Sequence, residues 1–295
     1  MNLHQLKFAR YVVRPEVKYL FCAITIVLLF SHFIACGAQM YKVSMKDDHG
    51  TSSGPSQESR DPNAKFYAIH ATGGWTSLPI PFYVQSDMSA VQKTAIKNAM
   101  ATWEKAVGKS LFTLVGTDQA TGDSFPTLLA SLEDSRNGLY LNYQWKAKTG
   151  KGSEVLATTI WDYSGSDSSK ISKSDMRYNM TDYMLCNAKT LEGCIKNGND
   201  PAGQPYNYKT VADHQTVSLH ELGHMIGMGH VDETVDGKSI MLASIYIGEG
   251  LSQRWLSAGD ISRIRNVYPC EGTCLSPDAL SAQMAAEGTN LAEAH

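Results

Sequence analysis

The sequence predicts an α/β domain in which a mixed sheet is backed by helices. Two observations support this prediction. Short apolar segments alternate with stretches of helical periodicity, and 43% of the 295 residues are hydrophobic, which is ample for one core. The apolar segments that precede or follow the predicted helices are residues 78–84, 111–115, 128–132, 139–143, 155–161 and 176–179.

Three helices are predicted between and after these segments. Ser89 and Gln92 form a capping box before the first helix, and Gly108 ends it. We interpret its apolar stripe, including Trp103, as a face packed on the sheet and not as a ligand contact. The second helix is predicted over residues 211–225 and the third over residues 258–268.

The charge balance argues against nucleic acid as a partner. The formal net charge is -3 and the sequence pI is about 6.3. Such a chain has no excess of positive charge with which to neutralise phosphates. We expect a monomer that does not bind nucleic acid.

The N-terminal segment has the pattern of an export signal, predicted over residues 1–36. Basic residues precede an apolar run over residues 19–35. The run closes on Phe33-Ile34-Ala35-Cys36, which resembles a bacterial lipoprotein signal with Cys36 as the lipidated residue. An ordinary cleaved signal and an uncleaved membrane anchor are the alternatives. The chain is therefore predicted to be exported, either as a cell-envelope lipoprotein of the outer membrane or surface, or as a secreted protein.

The remainder divides into three regions by composition. Residues 37–65 are rich in Ser, Gly, Asp and Lys and predict a flexible tether. Residues 66–274 form the predicted folded domain. Residues 275–295 are rich in Ala and Glu, with few large apolar residues, and predict a disordered tail.

Four cysteines in the predicted domain indicate an oxidising compartment. An even set of cysteines is compatible with two disulfides, and three pairings are open. We favour the local pairs, Cys186 with Cys194 and Cys270 with Cys274, because each closes a short loop. A cysteine-bound metal is disfavoured, since neither pair has the spacing of a common zinc site.

An acidic stretch raises the alternative of a calcium site. Asp162, Asp167 and Asp175 lie among serines at residues 162–175 and could supply oxygen ligands. The stretch has no recognised ligand spacing, so we favour a solvated loop.

Residues 220–230, HELGHMIGMGH, carry the chemistry. On a helix, His220 and His224 differ by about 40° around the axis and about 6 Å along it, so both imidazoles can face one ion. A continuous helix would place His230 about 15 Å along from His220, too far to share that ion. The chain must therefore bend, and Gly227 stands where the bend is needed.

Three histidine nitrogens leave the fourth position of a tetrahedral zinc site for water, which is the arrangement of catalytic sites. Zinc lowers the pKa of that water and polarises a carbonyl, while Glu221 can accept the water's proton and pass it to the leaving amine. The pattern predicts a zinc-dependent endopeptidase that acts on proteins or peptides, with Glu221 as the general base. The alternative is an exported zinc-binding surface protein without proteolysis.

These eleven residues resemble those of the metzincin zinc endopeptidases, most closely the matrixins and their bacterial relatives. The resemblance extends over about residues 75–269, through the first strand and helix, residues 155–161 and the opening of the last helix. It implies a metzincin-like zincin fold, with a mixed twisted sheet, an antiparallel edge strand, an active-site helix and a C-terminal helix. If the resemblance holds, the alternative function is that of an exported zinc-binding surface protein that retains this fold without proteolysis.

The resemblance also implies roles for residues outside the motif. Met241 would form a Met-turn beneath the metal, as a packing platform and not a ligand. Residues 155–159 would be the edge strand above the metal, with Leu156 and Ala157 offering backbone groups to an extended substrate. Tyr246 could stabilise an oxyanion, although a place in the pocket wall is favoured.

Two of the departures from the matrixin pattern bear on latency and on the number of metal ions. The sequence has no propeptide cysteine of the matrixin type, so latency by that switch is not expected. The histidines of the structural zinc of animal matrixins are not evident, so we predict one metal ion.

Overall fold

The computed structural model describes residues 41–44, 58–194 and 205–290, with backbone alone at 41–44 and 289–290. The predicted signal and Cys36 lie outside these residues. Within them, no helix combines the length and the apolar character that crossing a membrane requires.

Ten strands and five helices make up the described chain. The strands are β1 (Tyr41–Ser44), β2 (Gly74–Trp75), β3 (Ile80–Gln85), β4 (Phe112–Asp118), β5 (Gly138–Asn142), β6 (Ala157–Ser164), β7 (Asp167–Asn179), β8 (Met184–Cys186), β9 (Val211–Asp213) and β10 (Ser244–Ile247). The helices are α1 (Ala90–Val107), α2 (Trp145–Thr149), α3 (His214–Met225), α4 (Ala258–Val267) and α5 (Pro277–Asn290).

A six-stranded mixed sheet forms the centre of the domain. Strands β4, β3, β5 and β7 are neighbours in that order and run parallel, and β2 pairs with the first half of β7. Strand β6 pairs antiparallel with β7 and lies at the edge. The predicted α/β class, with a mixed sheet and an antiparallel edge strand, is confirmed.

The apolar core lies where α1 and α3 pack on each other and α3 packs on β6 and β7. Helix α1 has the predicted capping box at Ser89 and Gln92, and Gly108 follows it with a positive φ of 68°. Trp103 of α1 is fully buried, and its indole Nε1 donates a hydrogen bond to the Leu219 carbonyl of α3 at 2.8 Å. Burial of a large apolar side chain contributes about 1.5–3 kcal/mol to the stability of the fold. The apolar face of α1, which includes Trp103, therefore holds α3 in position.

The disordered tail predicted for residues 275–295 is wrong over α5. Pro277 opens this helix, where proline costs no hydrogen bond. Leu280 and Met284, four residues apart, are buried on one face. The Ser281 hydroxyl also donates to the Leu256 carbonyl at 2.8 Å. Burial of these two apolar side chains, which stand at helical spacing among alanines, therefore packs the helix on the domain.

The tether predicted for residues 37–65 is also wrong in part. Strand β1 pairs antiparallel with β10, with Tyr41 opposite Ile247. Residues 58–65 are folded as well, because the Asp61 carboxylate accepts the backbone N–H of Asn63 at 3.0 Å and Ser59 bridges to Tyr67. The ordered domain thus begins before residue 66.

The solvated loop favoured for residues 162–175 is a β-hairpin formed by β6 and β7. Gly165 lies at the turn, the first half of β7 is partly exposed apart from the buried Ile171, and the strand is buried from Ser174 onward. Asp167 and Asp175 are eight residues apart on this strand, or about 26 Å at the rise of a β-strand. They cannot share one calcium ion, so the calcium alternative is not supported.

Candidate metal centre

Helix α3 carries the first two histidines. Asp213 caps it, accepting the Thr216 N–H at 3.0 Å. The hydroxyls of Tyr178, on β7, and Ser218 lie 2.9 Å apart, and this hydrogen bond ties the helix to the sheet. His220 and His224 follow on the buried face. Their position is therefore set by contacts with the sheet and with α1.

The chain reverses direction immediately after α3. The helix ends at Met225, and Gly227 has a positive φ of 103°, where a Cβ atom would lie 2.9 Å from that of Ala71. The Met228 N–H donates to the Gly223 carbonyl at 2.9 Å and closes the turn. This bend returns His230 to the other two histidines, as the spacing of the motif predicts.

The three imidazoles converge through their Nε2 atoms. The Nε2 atom of His220 lies 2.9 Å from that of His224 and 3.3 Å from that of His230. His220 and His224 are buried, and His230 is half-buried. Among the residues that the structure describes, this is the one group of three or more histidine, cysteine, aspartate or glutamate residues arranged to hold a metal ion.

The hydrogen bonds of the rings show that the site fits a cation. The Nδ1 atom of His220 lies 2.7 Å from the Ile240 carbonyl, and that of His224 lies 2.8 Å from the Met228 carbonyl. A carbonyl only accepts, so each Nδ1 carries the proton and each Nε2 presents a lone pair. Lone pairs this close repel one another unless a cation lies between them. Neutral imidazoles held by carbonyls are the usual donors of zinc sites.

Met241 lies directly beneath the histidine helix. It is fully buried, and a Cβ atom built on Gly223 would overlap its Sδ atom and lie 3.0 Å from Cζ2 of Trp103. The absence of a side chain at Gly223 thus lets Met241 approach the backbone of the histidine helix. This placement fits the packing role implied for Met241.

Asp260, at the start of α4, holds the turn that carries Met241. It is fully buried and accepts the Ile240 N–H at 2.8 Å, and the Ser239 hydroxyl donates to it as well. The Ile240 carbonyl in turn accepts from His220. Asp260 is therefore linked to the His220 ring through a single residue, Ile240.

Glu221 is fully buried beside the histidines. The Thr159 hydroxyl of β6 lies 2.6 Å from its Oε2 atom and 3.0 Å from its backbone carbonyl. The sequence analysis missed Thr159, and a lone threonine in a strand gives no signal of such a role.

The segment before β3 also supports the end of α3, and no pattern in the sequence indicates this role. The Nε2 atom of His70 donates to the His224 carbonyl at 2.9 Å, and the His70 N–H donates to the Gly227 carbonyl at 2.8 Å. The Trp75 indole donates to the Met225 carbonyl at 2.6 Å. These donors satisfy carbonyls at the C-terminal end of α3, which lack partners within the helix.

A cavity of about 340 Å³ opens beside the histidines. His224 and His230 form part of its wall, and the His70 ring, stacked on Trp161 with centroids 3.9 Å apart, forms another part. Residues contributed by the neighbouring segments are Glu58, Arg60, Tyr67, Gly229 and Asp232. This cleft opens onto His224 and His230 of the candidate metal centre and is large enough to hold an amino-acid side chain of a substrate.

Of the three residues predicted to contact substrate, one is exposed and two are buried. Tyr246 is 51% exposed on β10. Leu156 and Ala157 are fully buried, and the Leu156 carbonyl accepts the Asn179 N–H at 2.8 Å. Contact between a peptide and these two residues stays a prediction, and it requires the groups that cover them to move.

Both favoured cysteine pairs are disulfides in the structure. Cys186 is bonded to Cys194 in the segment before α3, and Cys270 is bonded to Cys274 between α4 and α5. Each disulfide closes a short loop of the chain.

Comparisons with known proteins give one family match. Residues 139–269 match the model of the family described as Matrixin, which spans most of β5 to α4 and includes the three histidines and Met241. A solved structure, the hatching-enzyme zinc protease high choriolytic enzyme 1 of Oryzias latipes (medaka fish), is similar at 12% identity and a TM-score of 0.31. That similarity covers 68% of this chain and 96% of that chain. No curated protein matches.

Proposed function

We propose that the chain is a metzincin-like zinc metallo-endopeptidase that hydrolyses internal peptide bonds, with His220, His224 and His230 as metal ligands and Glu221 as general base. The observation that supports this assignment is the convergence of the Nε2 atoms of the three histidines, two of which lie with Glu221 on helix α3. Met241 and Asp260 keep the histidine rings in place.

Each residue has a separate role in the proposed reaction. A zinc ion bound by three histidines supplies Lewis acidity toward water and toward a peptide carbonyl. The Glu221 carboxylate accepts a proton from the attacking water and delivers it to the amine of the leaving peptide. Burial excludes bulk solvent from this carboxylate, so the proton stays within the site until the amine takes it.

Replacement of Glu221 by Gln tests the general base. We expect Glu221→Gln to retain one zinc ion per chain by metal analysis and to lose chelator-sensitive degradation of casein, by about 100-fold or more. Glu133→Gln, at an exposed position outside the site, is the matched control and should degrade casein like the wild type. Substantial activity in Glu221→Gln would refute the role of this residue. If the zinc-loaded wild-type protein failed to cleave casein or a peptide library, the zinc-binding surface protein would be favoured instead.

The substrate is proposed to be a protein or peptide that lies along the cleft beside β6. Leu156 and Ala157 are proposed backbone contacts, and the exposed Tyr246 is proposed as part of the pocket wall. Cleavage profiling of Tyr246→Ala against a peptide library tests this assignment. A changed side-chain preference with retained turnover is expected, and an unchanged profile would contradict it.

We further propose an exported monomer, anchored by lipid at Cys36. The proposal rests on the N-terminal sequence and on the two disulfides, which are typical of oxidising compartments. The mass of the mature N-terminus tests the anchor, since a diacylglyceryl group on Cys36 is expected. An unmodified N-terminus at another residue would show ordinary signal cleavage.

A further inference from the structure

Thr159 lies where the edge strand meets the active-site helix. It is fully buried on β6, opposite Met176 of β7, and α3 packs on this strand. Its hydroxyl lies 2.6 Å from Oε2 of Glu221 and 3.0 Å from the Glu221 carbonyl oxygen. The hydroxyl thus contacts both the side chain and the backbone of the same residue.

The direction of this hydrogen bond is fixed by chemistry. An ionised carboxylate and a carbonyl only accept hydrogen bonds, so the Thr159 hydroxyl must donate its one proton. A distance of 2.6 Å is typical of a charge-assisted O–H···O bond, and the carbonyl at 3.0 Å is the weaker acceptor. The branched Cβ of threonine restricts rotation of the hydroxyl, so the donor is held in place by its own backbone.

We infer that Thr159 is a positioning residue, whose hydroxyl holds the Glu221 carboxylate in a single orientation for proton transfer. A carboxylate on a flexible glutamate side chain can rotate, and a fixed donor on one oxygen limits that rotation. Thr159 itself exchanges no proton with substrate. The inference rests on the proposed role of Glu221 as the base, and it adds a link between the edge strand and the catalytic helix.

The adjacent residue provides a matched control. Thr158 is equally buried on the same strand, but neighbouring side chains of a strand point to opposite faces. In the described part of the chain its hydroxyl has no hydrogen-bond partner. The same Thr-to-Val change therefore removes an oxygen of the same size at both positions, and only at Thr159 does it remove a contact with Glu221.

The test compares Thr159→Val, Thr159→Ser and Thr158→Val in the full chain loaded with zinc, with an internally quenched peptide as substrate. We expect Thr159→Val to lower kcat by about 10- to 100-fold, the range for losing a hydrogen bond to a charged group, with KM within about twofold. Thr159→Ser retains the hydroxyl and should recover kcat to within about threefold of wild type. Thr158→Val should match the wild type.

Two readouts separate positioning from a general effect on structure. Zinc content should remain one ion per chain, and thermal unfolding of Thr159→Val should resemble that of Thr158→Val. In a Glu221→Gln background, Thr159→Val should cause no further loss of activity, because the group that it positions is already gone. If Thr159→Val does not fold, Thr159→Ala, which removes the same donor and adds no apolar bulk, replaces it.

Defined results would overturn the inference. A wild-type kcat for Thr159→Val, or an equal loss in Thr158→Val together with lost zinc, would show that the hydroxyl does not position the base. Failure of Thr159→Ser to recover activity would show the same. An active Glu221→Gln protein would instead refute the proposed base itself, so failure of the proposed function is recognised separately.

Discussion

The Nε2 atom of His70 lies 2.9 Å from the carbonyl oxygen of His224, although 154 residues separate them in the chain. This contact joins a segment that precedes the matrixin match to the backbone of a candidate metal ligand. The same segment runs antiparallel to the turn after α3, with Ile69 bridged to Met228. Residues 67–75 therefore belong to the structural support of the metal centre.

We predict that His70→Ala lowers zinc affinity by about tenfold, as removal of outer partners of metal ligands does in other sites. The last carbonyls of α3 lose a donor, and the turn to His230 loses a neighbour. Competition with a chromogenic chelator measures the affinity without reference to activity. His70→Gln, whose side-chain amide can still donate, should recover part of the loss. Wild-type affinity in His70→Ala would contradict a supporting role.

Asp260 should prove essential for stability. Asp260→Ala removes the acceptor for the Ile240 N–H and a partner of Arg263, which donates to it at 2.8 Å. Breaking a buried charged network of this kind costs about 3–5 kcal/mol in the free energy of unfolding. Urea unfolding of the metal-free protein measures the change. Asp236→Asn, which changes only the partly exposed partner of Arg263, is the control and should cost less. Equal losses would show that Asp260 has no special role.

The sequence predicted that the three histidines converge because their geometry is local. His220, His224 and His230 lie within eleven residues, and one helix followed by one glycine bend determines how they meet. The same holds for the capping box of α1 and for both short disulfide loops. Such features depend on neighbours along the chain, which a single sequence displays directly.

The contacts that the sequence analysis missed are long-range. Thr159 meets Glu221 across 62 residues, and the pairing of β1 with β10 spans about two hundred. No periodicity marks such partners. The missed helix α5 has a different cause, because its two buried apolar residues, Leu280 and Met284, stand among alanines and polar residues. The polar hairpin at residues 162–175 resembled a loop because serine and charged residues fill the first half of β7, where Ile171 is the one buried residue.

Gly223 and Met241 should be energetically coupled. Alanine normally stabilises a helix interior relative to glycine, by about 1 kcal/mol. Here the added Cβ would overlap Met241 Sδ, so we expect Gly223→Ala to destabilise the protein by about 1–3 kcal/mol. Met241→Ala alone should cost about 2–5 kcal/mol through its cavity. In the double variant the methyl group fills part of that cavity, so the combined loss should be smaller than the sum, as measured by urea unfolding. Strict additivity would show that the two residues do not share this space.

His214 should make the fold sensitive to mild acid. It is the first residue of α3 and fully buried, with its ring centroid 4.7 Å from that of Tyr178. Burial lowers the pKa of His214 from 6.5 to about 4, opposed by the charge of Asp213. Between these values the unfolded chain binds a proton that the folded chain does not. This contribution to stability is therefore complete above pH 6.5 and is lost as the pH falls toward 4.

The loss attributable to His214 can approach about 1.4 kcal/mol per pH unit, or about 3 kcal/mol over the whole interval. The chain has eight other histidines, so the informative quantity is the difference between the wild type and His214→Phe. Urea unfolding of both proteins from pH 4 to pH 7 should show a shallower dependence in the variant, by about one proton at the steepest point. Parallel pH profiles would mean that His214 keeps an ordinary pKa in the folded protein.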